Sequence, residues 1–161
     1  MRRLFWRKLW CSGLGRGYLK PAPGTWGSAV AVLIWWFLLA ELPVWQQLLV
    51  IALYTTISLM ALYTVVRESE VTDPGWTVVD EFAGQWLALV AAPQNIWVVL
   101  LAFGLFRLFD ITKPWVVGYL DRSTKGARGV MADDLAAGLL AAAVLHIALL
   151  AFGASGLDLR H

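Results

Sequence analysis

Two unbroken apolar runs limit what this chain can fold into more than any other feature. Val44–Val66 carries no charged side chain over 23 residues, and Leu135–Phe152 is a second such run. At about 1.5 Å per residue, a helix over the first crosses a hydrocarbon core of roughly 30 Å. Backbone groups in lipid find no water, so runs of this kind are predicted as helices and not as open strands. Composition closes the soluble alternative. Of 161 residues, 60% are of the set AVILMFWYC and 15% are Asp, Glu, Lys or Arg, with a mean hydropathy of +0.67. Soluble domains carry about 25% charged residues. Disorder is excluded, because it needs low hydrophobicity. Cys11 is the single cysteine, so a disulfide scaffold is excluded as well. The net charge of +2 is too small to point to a nucleic-acid partner.

Three shorter apolar stretches complete the pattern: Trp26–Ala40, Phe82–Ala92 and Ile96–Phe109. Pro93-Gln94-Asn95 separates the last two as a turn, so they form a tilted pair or a re-entrant hairpin. The predicted fold is all-α: a polytopic membrane helical bundle of four to five apolar helices, forming one domain over residues 1–161. Residues 1–20 begin MRRLFWRKLW and lack the apolar stretch and small-residue cleavage site of a signal peptide. They are predicted as a basic amphipathic segment on the membrane surface.

Charge gives the orientation. Segments 1–25, 67–81 and 107–134 share one face, and they hold twelve of the 13 Lys and Arg residues; Arg160 is the exception. The positive-inside rule makes that face cytoplasmic. Trp26, Trp45, Trp76, Trp97 and Trp115 fall near predicted helix ends, where an aromatic belt would place them. Trp35, Trp36 and Trp86 do not, and are expected to pack inside or to face lipid.

Four patches carry possible chemistry on the cytoplasmic side. The first is Lys20–Ser28, where Thr25 or Ser28 can cap the first apolar helix and its free N–H groups can meet an anion. Taken alone, this patch is better explained as an ordinary capped helix start. In the second, Asp80 and Glu81 stand between Val79 and Phe82 at a helix start. The dipole accounts for one acid there but not comfortably for two. The third holds Arg107, Asp110 and Lys113; the last two are three apart and share a helical face, so a plain ion pair is the simple account. In the fourth, Gly126–Gly138, a glycine-bearing loop with Arg128 runs into Asp133 and Asp134 at the expected start of the last helix. One of these aspartates is explained as an N-cap and the other is not.

Together, Asp80, Glu81, Asp110, Asp133 and Asp134 would crowd one surface. Carboxylates that close repel unless a cation neutralises them. An oxygen-only ligand set suits Mg²⁺, which typically bridges carboxylates to phosphate oxygens. Lys113, with Arg107 or Arg128, would meet the remaining phosphate charge. Other phosphatase chemistries fail on the residues. Cys11 and Arg16 have four residues between them where a cysteine phosphatase needs five, His146 lies deep in an apolar run, and no Asp-x-Asp nucleophile or nucleotide-binding Gly-x-x-x-x-Gly-Lys loop occurs. A small cation transporter or a non-enzymatic membrane subunit is the alternative. A transporter would hold its acids near the bilayer midplane, whereas these cluster at one end.

The four patches, in order, resemble phosphatidylglycerophosphatase A: Pro-Ala-Pro-Gly-Thr-Trp-Gly-Ser (21–28), Val-Asp-Glu-Phe-Ala-Gly (79–84), Phe-Asp-Ile-Thr-Lys-Pro (109–114) and Gly-Val-Met-Ala-Asp-Asp-Leu-Ala-Ala-Gly (129–138). The resemblance runs from about residue 13 to 150. It implies a Mg²⁺-dependent enzyme of the bacterial inner membrane that hydrolyses phosphatidylglycerophosphate to phosphatidylglycerol and phosphate. It places the acidic functions on Asp80, Glu81, Asp110, Asp133 and Asp134 and the basic one on Lys113. One departure is visible: the family has closely spaced glycines before the paired aspartates, and here Ala127 and Arg128 interrupt them. Attack by an activated water and a covalent aspartyl-phosphate both stay open.

Overall fold

The computed structural model describes residues 2–15, 17, 22–69, 75–124 and 126–154. Arg16, Lys20, Pro21, Lys125 and Arg160, which enter the charge placement or motifs above, lie outside the described residues. The elements are α1 (Arg2–Cys11), α2 (Pro23–Ile34, continued by a π-helical turn Trp35–Leu39), α3 (Val44–Ser69), α4 (Val79–Ala88), α5 (Ile96–Thr112), α6 (Trp115–Ser123) and α7 (Ala127–Ala154). The fold is all-helical, with no strand among the described residues.

Two helices are long and apolar enough to cross a membrane: Val44–Glu68 of α3 and Ala127–Ala151 of α7, each of 25 residues. Only 22% and 28% of their most apolar windows are buried inside the protein. A core helix of a soluble protein would be mostly covered, so this uncovered surface fits lipid. The expectation of four to five comparable helices is thereby narrowed. Pro23–Leu39 is a shorter apolar helix. The ten residues of α4 reach about 15 Å, half of a hydrocarbon core.

Short as it is, α4 is the centre of the fold. Eight of its ten residues are buried, and it packs against α2, α3, α5 and α7. One side, Phe82 and Trp86, joins Ala31, Trp35 and Leu145. Val79 and Ala83 join Leu62, Val65 and Met131, while Ala88 joins Phe106, Ala137 and Ala141. The Trp86 indole donates to Ala31 O at 2.8 Å. Trp35 and Trp86 are buried, whereas Trp26, Trp45, Trp97 and Trp115 at helix ends are exposed. The inner end of α4 stops in a turn at Leu89–Ala91, and buried Gln47 of α3 holds it there. Its amide donates to Leu42 O at 2.9 Å, and its carbonyl accepts Ala91 N–H at 3.4 Å.

Two helix starts differ from expectation. The last helix begins at Ala127, eight residues before the apolar run, because Ala127–Ala132 continues the same helical face into the core through buried Ala127 and Met131. Asp133 and Asp134 are therefore inside a helix, and neither is an N-cap. The first apolar helix begins at Pro23, whose missing N–H suits the first helical position. Its N-cap is Ala22, which supplies no side-chain bond, so Thr25 and Ser28 are not caps. Ser28 is buried and donates instead to Gly24 O at 2.8 Å.

The closest helix crossing is α4 against α7. A Cβ on Gly84 would lie 2.6 Å from the Asp134 carbonyl oxygen, and one on Gly138 would strike the Gly84 carbonyl. Gly84→Ala and Gly138→Ala should each cost about 1–3 kcal/mol, read as a lowered unfolding temperature in detergent. Gly104→Ala, where nothing lies within 4 Å of the added carbon, should be neutral or mildly stabilising.

Candidate active site

The glycine crossing sets the geometry of the acids. Asp80 and Glu81 occupy the first turn of α4, and Asp134 sits on α7 four residues before Gly138. With no side chains between the helices, one carboxylate oxygen from each of Asp80, Glu81 and Asp134 lies within 4.8 Å of the others. Asp80 and Asp134 are buried and Glu81 is half-buried. Burial, then the charge of Asp80 beside it, holds the Glu81 carboxyl well above the usual carboxylate range. Glu81 Oε2 and Asp134 Oδ2 are buried with no hydrogen-bond partner among the described residues. Such orphaned acceptors are costly unless something absent satisfies them. Three hard oxygen donors that share a pocket without histidine or cysteine fit a divalent cation.

The cations flank this group. Arg107 Nη1 pairs with Asp110 Oδ2 at 2.6 Å, one turn apart on α5, with both side chains 15% exposed. Asp110 is close enough for its charge to act on Glu81. Lys113 ends α5 in a left-handed conformation, φ 45° and ψ 57°, as the following Pro114 disfavours another helical residue. Its ammonium reaches α7 and donates to Asp133 Oδ2 at 2.7 Å. Arg107 thus pairs with Asp110 within α5, and Lys113 with Asp133 across to α7.

The remaining candidates are placed unequally. Thr25 lies half-buried on the first turn of α2. Neighbouring Gly24 is where Glu81 and Arg107 meet α2: a Cβ there would strike Glu81 Oε1 and lie 3.0 Å from Arg107 Nη1. Arg128 is exposed on the first turn of α7. Its offset of five and six residues from Asp133 and Asp134 points it away from those buried side chains. So the structure brings Asp80, Glu81 and Asp134 together, sets Asp110, Arg107, Asp133 and Lys113 around them, and leaves Arg128 outside. Gly24, Gly84 and Gly138 were not singled out from the sequence for close contact. The recurrence of small residues at 84 and 88, and at 137, 138 and 141, was the available signal.

Cys11 is buried at the end of α1, and its carbonyl accepts the Val78 N–H at 2.9 Å, which ties α1 to the start of α4. Burial, with a contribution from Asp80, pushes the thiol up to about 12. It is a packed thiol and no nucleophile.

The Lys113–Asp133 pair generates a prediction. Lys113→Met leaves a largely buried carboxylate without this partner, which should lower stability by about 1–3 kcal/mol. The double variant Lys113→Met/Asp133→Asn should recover most of that loss in thermal unfolding. Equal stability of Lys113→Met and the parent would show that the pair is not maintained in solution.

Comparison with known proteins gives the family. The family profile described as phosphatidylglycerophosphatase A matches residues 9–149. A phosphatidylglycerophosphatase A of Escherichia coli is 37% identical over 83% of this chain and 78% of its own length. One from Haemophilus influenzae is 37% identical over 83% and 82%. A Bacteroides thetaiotaomicron protein, provisionally designated a phosphatidylinositol-3-phosphatase, is 36% identical over 85% and 89%. No solved structure matches significantly. The profile spans all four sequence patches and every element from the end of α1 into α7, and the chain belongs to the phosphatidylglycerophosphatase A family.

Proposed function

We propose that this protein is a Mg²⁺-dependent lipid phosphatase that hydrolyses phosphatidylglycerophosphate to phosphatidylglycerol and phosphate in phospholipid biosynthesis. The observation that carries the reading is the buried group Asp80, Glu81 and Asp134, bordered by Arg107 and Lys113, in a chain of this family. Asp80, Glu81 and Asp134 would hold the ion, with Asp110 and Asp133 as the flanking acids. Bound there, Mg²⁺ supplies charge neutralisation at the phosphoryl oxygens and a more acidic water.

The chain's own groups account for the rest. Arg107 and Lys113 are held by Asp110 and Asp133, so their charges meet the phosphate without first being ordered. One carboxylate of the surrounding acids would take a proton from the attacking water. Thr25 and the first turn of α2 contribute N–H groups beside Glu81 and Arg107. Ser28 acts on this turn through its bond to Gly24. Arg128, exposed beyond the cluster, would act on the substrate headgroup from outside or not at all.

Phosphate release from phosphatidylglycerophosphate in detergent, with and without Mg²⁺, is the direct test, with phosphatidylinositol 3-phosphate as the comparison substrate. Asp80→Asn, Glu81→Gln and Asp134→Asn should each lower kcat/KM at least ~100-fold, about 2.7 kcal/mol, without unfolding the protein. Full activity without Mg²⁺, or in two of these variants, would overturn the metal-site reading. The pH dependence has a definite sign. A proton on Glu81 competes with the cation, so activity rises as pH increases through its raised pKa. More Mg²⁺ should shift that limb to lower pH.

The same reading places the protein in a bacterial inner membrane as a single multi-pass domain, with the site facing the cytoplasm. The distribution of basic residues supports this. Arg122 is exposed on α6, and Cys11 is buried, so an Arg122→Cys variant carries one accessible thiol. Membrane-impermeant maleimide should label it only in inverted vesicles. Labelling from the periplasmic side would reverse the orientation.

A further inference from the structure

A groove of about 400 Å³ runs between α2 and α5, and it is almost wholly apolar. Its walls include Ala29, Leu33 and Phe37 from α2 and its π turn, and Ile96, Leu100 and Phe103 from α5. The two helices are antiparallel. Gln94, just before α5, donates to Trp36 O at 2.8 Å at one end, and Gly24 abuts Arg107 at the other.

The register is informative. On α5 the groove residues Ile96, Leu100 and Phe103 continue at helical spacing to Arg107. On α2, the groove residue Ala29 lies one turn after Thr25, which adjoins Gly24. An apolar trough therefore ends, one helical turn on, where Arg107 and Glu81 meet over a residue without a side chain. Several of its walls face outward: Phe37 is 76% exposed and Leu33 57%. This is the shape of a phosphomonoester joined to a long hydrocarbon: a polar head at one end and a methylene track leading from it.

The geometry points to the α2–α5 groove as the seat of one acyl chain of the substrate, held while its phosphate lies at Arg107 and the carboxylates. This rests on the lipid-phosphatase reading and adds a specificity determinant to it. In a bilayer the groove gains little from hydrophobic transfer, since lipid tails are already apolar. Its contribution is orientation: a chain laid along α5 fixes the angle at which the headgroup meets the site.

The test compares dioleoyl and dihexanoyl phosphatidylglycerophosphate in mixed micelles at fixed mole fraction. In the parent protein, kcat/KM should favour the long chain. Ala29→Phe, which fills the groove away from the carboxylates, should cut that preference at least ~10-fold by lowering only the long-chain value. An unchanged preference, or an equal fall for both substrates, overturns the groove. A second measurement does not depend on the variant's folding. A phosphatidic acid carrying a terminal diazirine on one chain should crosslink the parent protein at the far end of the groove, around Phe37 and Ile96. Crosslinks confined to α3 and α7 overturn it. If the parent releases no phosphate from either substrate, the lipid-phosphatase reading fails, while the crosslink still reports on the groove.

Discussion

The contact on which the structure depends is the side-chain-free crossing of α4 and α7 at Gly84 and Gly138. In an apolar solvent, helix pairs gain from close backbone approach and not from expelling water. Here the same approach has a chemical result. Two helices that nearly touch bring the acids one turn from the crossing within a few ångströms of each other. The arrangement is unstable as a set of bare charges, so packing forces together what electrostatics would separate. Stabilisation by packing and a group of acids fit to hold a cation are two aspects of one crossing.

Around that crossing the cations are already engaged. Lys113, at the left-handed exit of α5, pairs with Asp133, and Arg107 is held by Asp110 within its own helix. Pairs of this kind are worth little as surface stabilisers. At a half-buried site they fix the direction of the charge.

The two long helices, the four patches and the cluster of acids were legible in the sequence because they depend on local composition and on motif order. Pro114 ending α5 at Lys113 was legible as well, since proline acts on its immediate neighbour. What could not be read was set by tertiary packing. Asp133 and Asp134 looked like residues at a helix start because Gly126 and Gly129 precede them and the apolar run begins at Leu135. In the fold Gly129 is buried inside α7, where a Cβ would strike the Thr124 carbonyl, and the helix runs through it. The pairing of Lys113 with Asp133 likewise joins two helices, which spacing rules within one helix do not represent. The depth of α4 was ambiguous because Phe82–Ala92 has the composition of a membrane helix and the length of half of one.

That half length has a consequence of its own. A helix of ten residues has a blunt inner end whose backbone must be satisfied inside the protein, and buried Gln47, in the first turn of α3, supplies this by bonding Leu42 and Ala91. The opposite end carries Asp80 and Glu81. Such an element is chemically one-ended: a neutral amide closes one terminus, and the acids crowd the other.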